Sequence, residues 1–294
     1  MNSMKSIKFP ILLYHDVYPD DFGVAQIAPE RRYYAVTISQ FRRQLHWLQE
    51  SGFQTITSAD FDMMTQGSEP VIPPKPVMIT FDDGHISQYR YALPILQELK
   101  MTACFFIVPG WTDQPQFVSW QMIREFSDSG MSCQSHTQSH HFLVQLTSKQ
   151  LVDELRVSKQ ELEQRLNKPI SFLSLPGGRC ERPVWQMASA FGYRGIFTSN
   201  PGYGAFRPVW ERLDHNQHLP IAFHRFAISH HTTDHQFRSL LNSPFSTAVM
   251  QRRGRYFCGS LAKHFLGDHV YDRLWLLKEK TRVSLPIKVK SDVA

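Results

Sequence analysis

The sequence predicts an α/β protein in which a parallel sheet closes into a barrel of about seven strands, followed by a helical C-terminal extension. Three observations favour this fold. Apolar runs without helical periodicity alternate along the chain with stretches of helical spacing. Several apolar runs stop abruptly at polar residues, as strands do where they deliver side chains to a loop. After His230 the alternation ends, and only helical patterns follow.

Each element is predicted from its local pattern. Strands are expected at residues 9–14, 53–56, 76–79, 103–108, 131–135, 170–175, 195–198 and 221–228. Helices are expected around Phe41, Leu45 and Leu48, up to Gly52, and at residues 59–64, 89–99, 120–126, 151–166, 184–191, 237–241, 245–265 and 271–280. Residues 1–232 are therefore predicted to be a barrel domain with an N-terminal extension. Residues 233–294 are predicted to be a helical, basic extension.

Length and composition are those of an ordinary globular protein. The 294 residues are 42% hydrophobic and 20% charged, which excludes disordered and fibrous classes. The N-terminal residues lack the apolar stretch of a signal peptide, and no segment reaches the length of a membrane span. We therefore expect a cytoplasmic protein. The four cysteines form no Cys-x-x-Cys pair, which favours reduced thiols over a disulfide framework.

Positive charge is concentrated near the C-terminus. The formal net charge is +6, and residues 251–290 carry ten Lys or Arg and three acidic residues. Arg252, Arg253, Arg255 and Lys263 fit a solvated helix face, which is the default interpretation. A second interpretation is peripheral contact of the C-terminal helices with an anionic membrane at its inner face. Nucleic-acid binding ranks third and is not predicted, because no binding motif accompanies the charge.

Two adjacent acids form the first motif. The predicted strand at residues 76–79 leads into Thr80-Phe81-Asp82-Asp83-Gly84. Ligands gather at the carboxyl ends of parallel strands, where both carboxylates would stand. Neighbouring carboxylates repel each other unless positive charge lies beside them, and a divalent metal would supply that charge. Taken alone, the pair would equally fit a loop cap at the surface.

Two histidines four residues apart form the second motif. His136 and His140 follow the predicted strand at residues 131–135. If the chain turns helically there, both imidazoles lie on one side, as in two-histidine metal sites. Two imidazoles and one carboxylate make a three-ligand shell with open positions, which is typical of a hydrolytic metal centre. The remaining carboxylate could then take a proton from an activated water.

These two motifs resemble those of the polysaccharide deacetylase family, the NodB-homology proteins of carbohydrate esterase family four. The segments Leu13-Tyr14-His15-Asp16-Val17 and Leu93-Pro94-Ile95-Leu96 are also similar to that family, as are residues 102–106. The resemblance covers about residues 9–228. It implies a distorted, TIM-like (β/α) barrel.

The resemblance also implies roles for the motif residues. Asp82 would be the general base, and Asp83, His136 and His140 would hold a divalent metal, with zinc first and cobalt or nickel as alternatives. The implied reaction is hydrolysis of an N-acetyl or O-acetyl group on a sugar of a polysaccharide or glycolipid precursor. The implied partner is an acetylated carbohydrate, and the sequence predicts no oligomeric state.

The third motif of the family differs in this sequence. It usually reads Arg-Pro-Pro-Tyr-Gly, whereas residues 174–179 read Ser-Leu-Pro-Gly-Gly-Arg. Ser174 replaces the motif arginine, and we predict that Arg179, displaced along the loop, pairs with Asp82 as a catalytic residue.

The acid that protonates the leaving amine is not evident from the family pattern. His224, after a strand-like run, is a candidate, and His15 either lines the site or is a structural histidine. Two other functions therefore remain open. One is a catalytically silent barrel that binds glycan or a partner in glycan biosynthesis, and the other is a metal hydrolase acting on a different amide or ester.

Overall fold

The strands form at the apolar runs, because the side chains of these runs are buried on both faces of the sheet. The computed structural model describes residues 7–23, 26–65, 72–206 and 220–266. The strands of this part of the chain are β1 (Ile7–Tyr14), β2 (Asp16–Tyr18), β3 (Ala35–Thr37), β4 (Gln54–Thr55), β5 (Pro76–Phe81), β6 (Cys104–Ile107), β7 (Ser132–Ser135), β8 (Phe172–Ser174), β9 (Gly195–Phe197), β10 (Tyr203–Phe206), β11 (Ile221–Phe223) and β12 (Phe226–Ala227).

The helices follow the amphipathic stretches and begin at side-chain caps in several cases. Thr37, Ser119, Thr147 and Thr233 each accept a hydrogen bond from the backbone N–H three residues later. The α-helices are α1 (Ile38–Glu50), α2 (Ser58–Thr65), α3 (Leu93–Glu98), α4 (Trp120–Asp128), α5 (Ser148–Leu166), α6 (Arg182–Ala190), α7 (Asp234–Asn242) and α8 (Thr247–Leu266). Shorter turns are a π-helix at Gln88–Ala92 and 3-10 helices at Arg32–Tyr34, Pro109–Trp111, Leu143–Gln145 and Pro176–Gly178. The helix predicted at residues 89–99 is thus a π-turn that continues into α3.

The main sheet is parallel and nearly closed into a barrel. Neighbouring strands follow the order β1, β5, β6, β7, β8, β9 and β11, and β12 pairs parallel with β1 on its other side. This confirms the predicted α/β barrel. Strand β10 adds antiparallel to the start of β1, β4 pairs with the start of β5, and β2 and β3 pair separately. Strands β2, β3 and β10 have no counterpart among the predicted strands.

The last strand of the barrel is interrupted, so the continuous strand predicted at residues 221–228 is wrong. Strand β11 pairs with β9, and after a break at His224 and Arg225 the chain resumes as β12 beside β1. Each half thereby pairs with a different neighbour. The two residues of the break are consequently released from the regular alternation of side chains along a strand.

Two apolar layers hold the barrel and its helices together. One fills the space between sheet and helices and includes Leu12, Tyr14, Ile79, Phe81 and Phe105. The other fills the barrel interior and is formed by alternate residues of the same strands, namely Phe9, Ile11, Met78, Cys104, Phe106, Phe172, Phe197 and Phe223, together with Ile56. The interior is therefore a packed core, and the site lies at the end of the barrel where the strands finish.

The C-terminal helices pack against the barrel. Phe237, Leu240 and Val249 are buried in the layer between sheet and helices. Arg252 donates hydrogen bonds to the carbonyl oxygen of Ala227 and, at 3.2 Å, to Thr232 Oγ1. For Arg252 the predicted solvated position is therefore wrong, because its guanidinium satisfies a backbone carbonyl of β12.

The rest of the basic segment is only partly described. Arg253 and Arg255 are exposed, as are the apolar side chains of Met250 and Phe257. Contact of this helix with an anionic membrane stays a prediction, as does the domain boundary after residue 232. The helix predicted at residues 271–280 lies outside the described residues. Among the described helices, none is both long and apolar enough to cross a bilayer.

Candidate metal centre

Strand β5 delivers two adjacent carboxylates to the end of the barrel. Asp82 and Asp83 follow directly after Phe81, and their side chains are 3% and 9% exposed. The backbone of Asp83 is left-handed, with φ of 80°, and Gly84 continues with φ of 74°. This tight turn gives the two neighbouring carboxylates different surroundings.

Strand β7 delivers the two histidines, but the turn that follows it is not helical. Thr137 and His140 both have left-handed backbone, with φ of 66° and 62°. The loop is held by Glu154 of α5, whose Oε2 accepts hydrogen bonds of 2.9 Å from the N–H groups of Gln138 and Ser139. The helical turn expected here is therefore wrong. The imidazoles still converge, with 4.8 Å between the ring centroids of His136 and His140.

Asp83 and the two histidines face one another. Oδ1 of Asp83 lies 3.4 Å from Nε2 of His136 and 3.4 Å from Nε2 of His140. One ligand atom from each residue lies within 4.8 Å of the others. Nδ1 of His136 contacts the carbonyl oxygen of Ser174 at 2.9 Å, an acceptor that places the ring proton on Nδ1 and leaves the Nε2 lone pair facing the cluster. Two imidazoles and one carboxylate oxygen fit a divalent cation such as zinc.

The protonation states follow from burial and charge. Burial raises the pKa of Asp83, but its contact with His136 and the charge of Arg31 outweigh this and hold the pKa well below its usual value. Burial and the neighbouring charge of His136 lower the pKa of His140 to about 4. Burial lowers the pKa of His136, but the charges of Asp82 and Asp83 outweigh this effect and raise the pKa above its usual value. A cation and a proton would therefore compete for Nε2.

Asp82 is held by a buried arginine. Nη1 and Nη2 of Arg225 donate hydrogen bonds of 2.8 Å to Oδ1 and Oδ2 of Asp82, and Ser174 Oγ donates to Oδ2 at 3.0 Å. Burial raises the pKa of Asp82, but the charge of Arg225 outweighs it and lowers the pKa below the usual value. Asp82 is therefore an ionised carboxylate with a fixed orientation. His136 Nε2 lies 3.8 Å from its Oδ2.

Arg225 occupies the place that the sequence analysis gave to Arg179, so the predicted pairing of Arg179 with Asp82 is wrong. Arg225 lies in the break between β11 and β12, is 0% exposed, and also donates from Nε to the carbonyl oxygen of Thr198 at 2.9 Å. A charged residue inside the apolar run of residues 221–228 was the one available signal. This signal could not identify Asp82 as the partner of Arg225, because 143 residues separate the two in the chain.

Comparisons with known proteins agree with this geometry. The profile of the family described as polysaccharide deacetylase matches residues 71–196. YxkH of Bacillus subtilis strain 168, whose name assigns it provisionally to the polysaccharide deacetylases, is 30% identical over 199 residues, covering 67% of each chain. The chain belongs to the polysaccharide deacetylase family. The predicted enzyme class, a carbohydrate deacetylase, is thereby confirmed.

Two further relatives of this polysaccharide deacetylase are informative. The poly-β-1,6-N-acetyl-D-glucosamine N-deacetylase of Escherichia coli strain K12 is 33% identical over 139 residues, which are 42% of this chain and 20% of that protein. The chain thus spans about a fifth of that relative's length. The Streptococcus pyogenes deacetylase PplD in complex with acetate superposes with a TM-score of 0.69 at 23% identity, over 81% of this chain and 100% of that chain. This likeness shows the shared barrel fold.

The structure places the remaining candidate residues of the deacetylase apart from one another. The Arg179 guanidinium lies over the ring of Phe142, with Cζ 4.3 Å from the ring centroid. His224 contacts Thr198 Oγ1 through Nδ1 at 3.0 Å. His15, by contrast, lies beside the acids, because Tyr14 is in register with Phe81 and the backbone carbonyls of His15 and Asp82 both accept from Gln88 Nε2, at 2.9 and 2.6 Å.

Replacing Arg225 by lysine tests the arginine that the sequence analysis missed. An ammonium group keeps the charge but cannot bond both oxygens of Asp82 and Ser174 in one plane. We expect Arg225→Lys to lower the free energy of unfolding by about 1–3 kcal/mol in urea titrations, and to slow acetate release while leaving metal content unchanged. Arg42→Lys, at an exposed pair with Glu98, is the matched control. Wild-type stability and activity in Arg225→Lys would contradict this role.

Proposed function

We propose that the protein is a metal-dependent N-deacetylase acting on a polysaccharide of N-acetylated sugars. The observation that carries the proposal is the convergence of Asp83, His136 and His140 beside the ionised Asp82. The name of the Escherichia coli relative supports β-1,6-linked N-acetyl-D-glucosamine as the repeating unit. An acetylated glycolipid precursor of such a polymer offers the same amide.

Asp83, His136 and His140 would hold the metal, with zinc as the first choice for this donor set and cobalt or nickel as replacements. A divalent cation in this position supplies Lewis-acid activation of a water molecule and polarises the acetyl carbonyl group. The hydrogen bond from His136 Nδ1 to Ser174 fixes that imidazole, and the loop held by Glu154 fixes His140. The ligands are thus oriented by the protein before a cation binds.

Asp82 would act as the general base. Hydrolysis adds the oxygen of water to the acetyl carbon and breaks the bond to the sugar nitrogen, which releases acetate and a free amine. The water must lose a proton as it attacks, and Asp82 is an ionised carboxylate close to the metal ligands. Arg225 and Ser174 hold both of its oxygens, so this carboxylate keeps one orientation.

The test of the proposed function is acetate release from oligomers of β-1,6-linked N-acetyl-D-glucosamine. We expect Asp82→Asn to lower the rate about 10²–10⁴-fold, because the amide cannot accept the proton of water. Metal content should stay at the wild-type level, since Asp82 is outside the ligand set. Asp21→Asn, at an exposed position, is the control for loss of a carboxylate elsewhere. An unchanged rate in Asp82→Asn would remove the base from the mechanism.

His15, predicted either to line the site or to be structural, is better placed to act as the acid than the predicted candidate His224. Its Nδ1 atom is buried and has no hydrogen-bond partner within the described part of the chain, and its ring stacks on Tyr34 at 4.5 Å. Burial lowers the pKa of His15 below its usual value, so its imidazole is neutral at rest. It must first take up a proton, such as the one that the attacking water loses, before it can protonate the departing amine. We assign to His15 the protonation of the sugar nitrogen. Arg179 remains a proposed catalytic residue, although both oxygens of Asp82 are bonded to Arg225.

Paired substitutions separate the two histidines. We expect His15→Gln to slow acetate release from the oligomer about 10²–10⁴-fold without loss of metal, because the acid step is impaired. His224→Gln should keep a rate close to wild type, because this histidine contacts Thr198 instead of the acids. Both rates are measured with the same metal-loaded preparations. A large loss in His224→Gln together with an active His15→Gln would reverse the assignment.

A further inference from the structure

Arg31 binds the second oxygen of the proposed metal ligand Asp83. Its Nη1 donates to Oδ2 of Asp83 at 3.1 Å, whereas Oδ1 faces both histidine Nε2 atoms at 3.4 Å. The two oxygens of this carboxylate therefore have different partners. A guanidinium group holds one, and the other points into the cluster.

Asp16 keeps Arg31 in this position. Nε of Arg31 donates to Oδ2 of Asp16 at 2.7 Å, and Nη2 pairs with Oδ1. The Asp16 side chain is 0% exposed and that of Arg31 is 15% exposed, so solvent competes little for this pair. Tyr18 also donates to Oδ2 of Asp16, at 3.2 Å. A planar guanidinium bonded along one edge to Asp16 has a fixed direction for its remaining N–H groups.

The charges explain why Asp16 is needed in addition to Arg31. An unpaired guanidinium 3.1 Å from Asp83 would repel a cation bound to that carboxylate. Asp16 compensates the charge of Arg31. The group of Asp16, Arg31 and Asp83 then carries one net negative charge, which continues to attract a divalent cation.

We propose that Arg31, anchored by Asp16, is a positioning residue that confines Asp83 to one metal-binding oxygen. The inference rests on the proposed function, since it concerns the metal of that site. A carboxylate can bind a cation through one or both oxygens. Because Oδ2 is held by a charge-assisted hydrogen bond, Asp83 contributes one atom, and the ion keeps positions open for water and substrate.

Arg31 comes from a part of the chain that the motifs do not cover. It lies between β2 and β3, whereas the family profile begins at residue 71. The irregular segment before β3 thus supports the proposed metal site from outside the residues that the family profile matches.

The test uses the 294-residue chain, freed of metal and loaded with Co²⁺ as the probe. Cobalt(II) absorbs visible light strongly in sites of low coordination number and weakly when six ligands surround it. We expect Arg31→Lys to weaken the visible band, because an ammonium cannot hold Asp16 and Asp83 together and Oδ2 becomes free to bind. The Kd for Co²⁺ should rise about 10-fold, as for other lost partners of metal ligands. Arg42→Lys should reproduce the wild-type spectrum.

A second variant tests the same role in case Arg31→Lys does not fold, and circular dichroism shows whether each variant is folded. Asp16→Asn keeps Arg31 but removes the charge that anchors it, and we expect the same spectral change. Wild-type band intensity and wild-type Kd in both folded variants would overturn the role of Arg31. Failure of the wild-type protein to bind Co²⁺ would instead overturn the proposed function and this inference with it.

Discussion

The structure depends on the burial of two adjacent carboxylates at the end of β5. Buried carboxylates that lack positive partners are strongly destabilising, so each must be compensated. Arg225, in the break of the last strand, pairs with Asp82. Arg31 pairs with Asp83, which also faces the two histidines. The segment between β2 and β3 brings Arg31 to these carboxylates, and the break between β11 and β12 brings Arg225.

The different partners give two identical side chains different roles. Both oxygens of Asp82 are bonded to Arg225, which leaves it a fixed, ionised carboxylate. Asp83 keeps one oxygen directed at His136 and His140. The left-handed backbone at Asp83 turns it away from its neighbour. The proposed base and the proposed metal ligand can therefore stand next to each other in sequence.

Much of the fold and part of the site could be predicted from the sequence, because the signals were local. The buried strands read as apolar runs, and the acids and histidines stood at their ends. The helical turn proposed for His136 and His140 was wrong because left-handed residues at Thr137 and His140 bring the rings together instead. Arg225 was missed because its contact joins residues that are 143 positions apart, and local periodicity carries no information on such contacts.

The most direct measurement is the metal content of the purified protein by mass spectrometry. We compare wild type with Asp83→Ala and His136→Ala, and use His141→Ala as the control, because its side chain is 66% exposed and outside the cluster. We expect about one divalent ion per chain in wild type and His141→Ala, and loss of that ion from the other two variants. Absence of metal from wild type after incubation with zinc, cobalt or nickel, or equal content in all four proteins, would contradict this expectation.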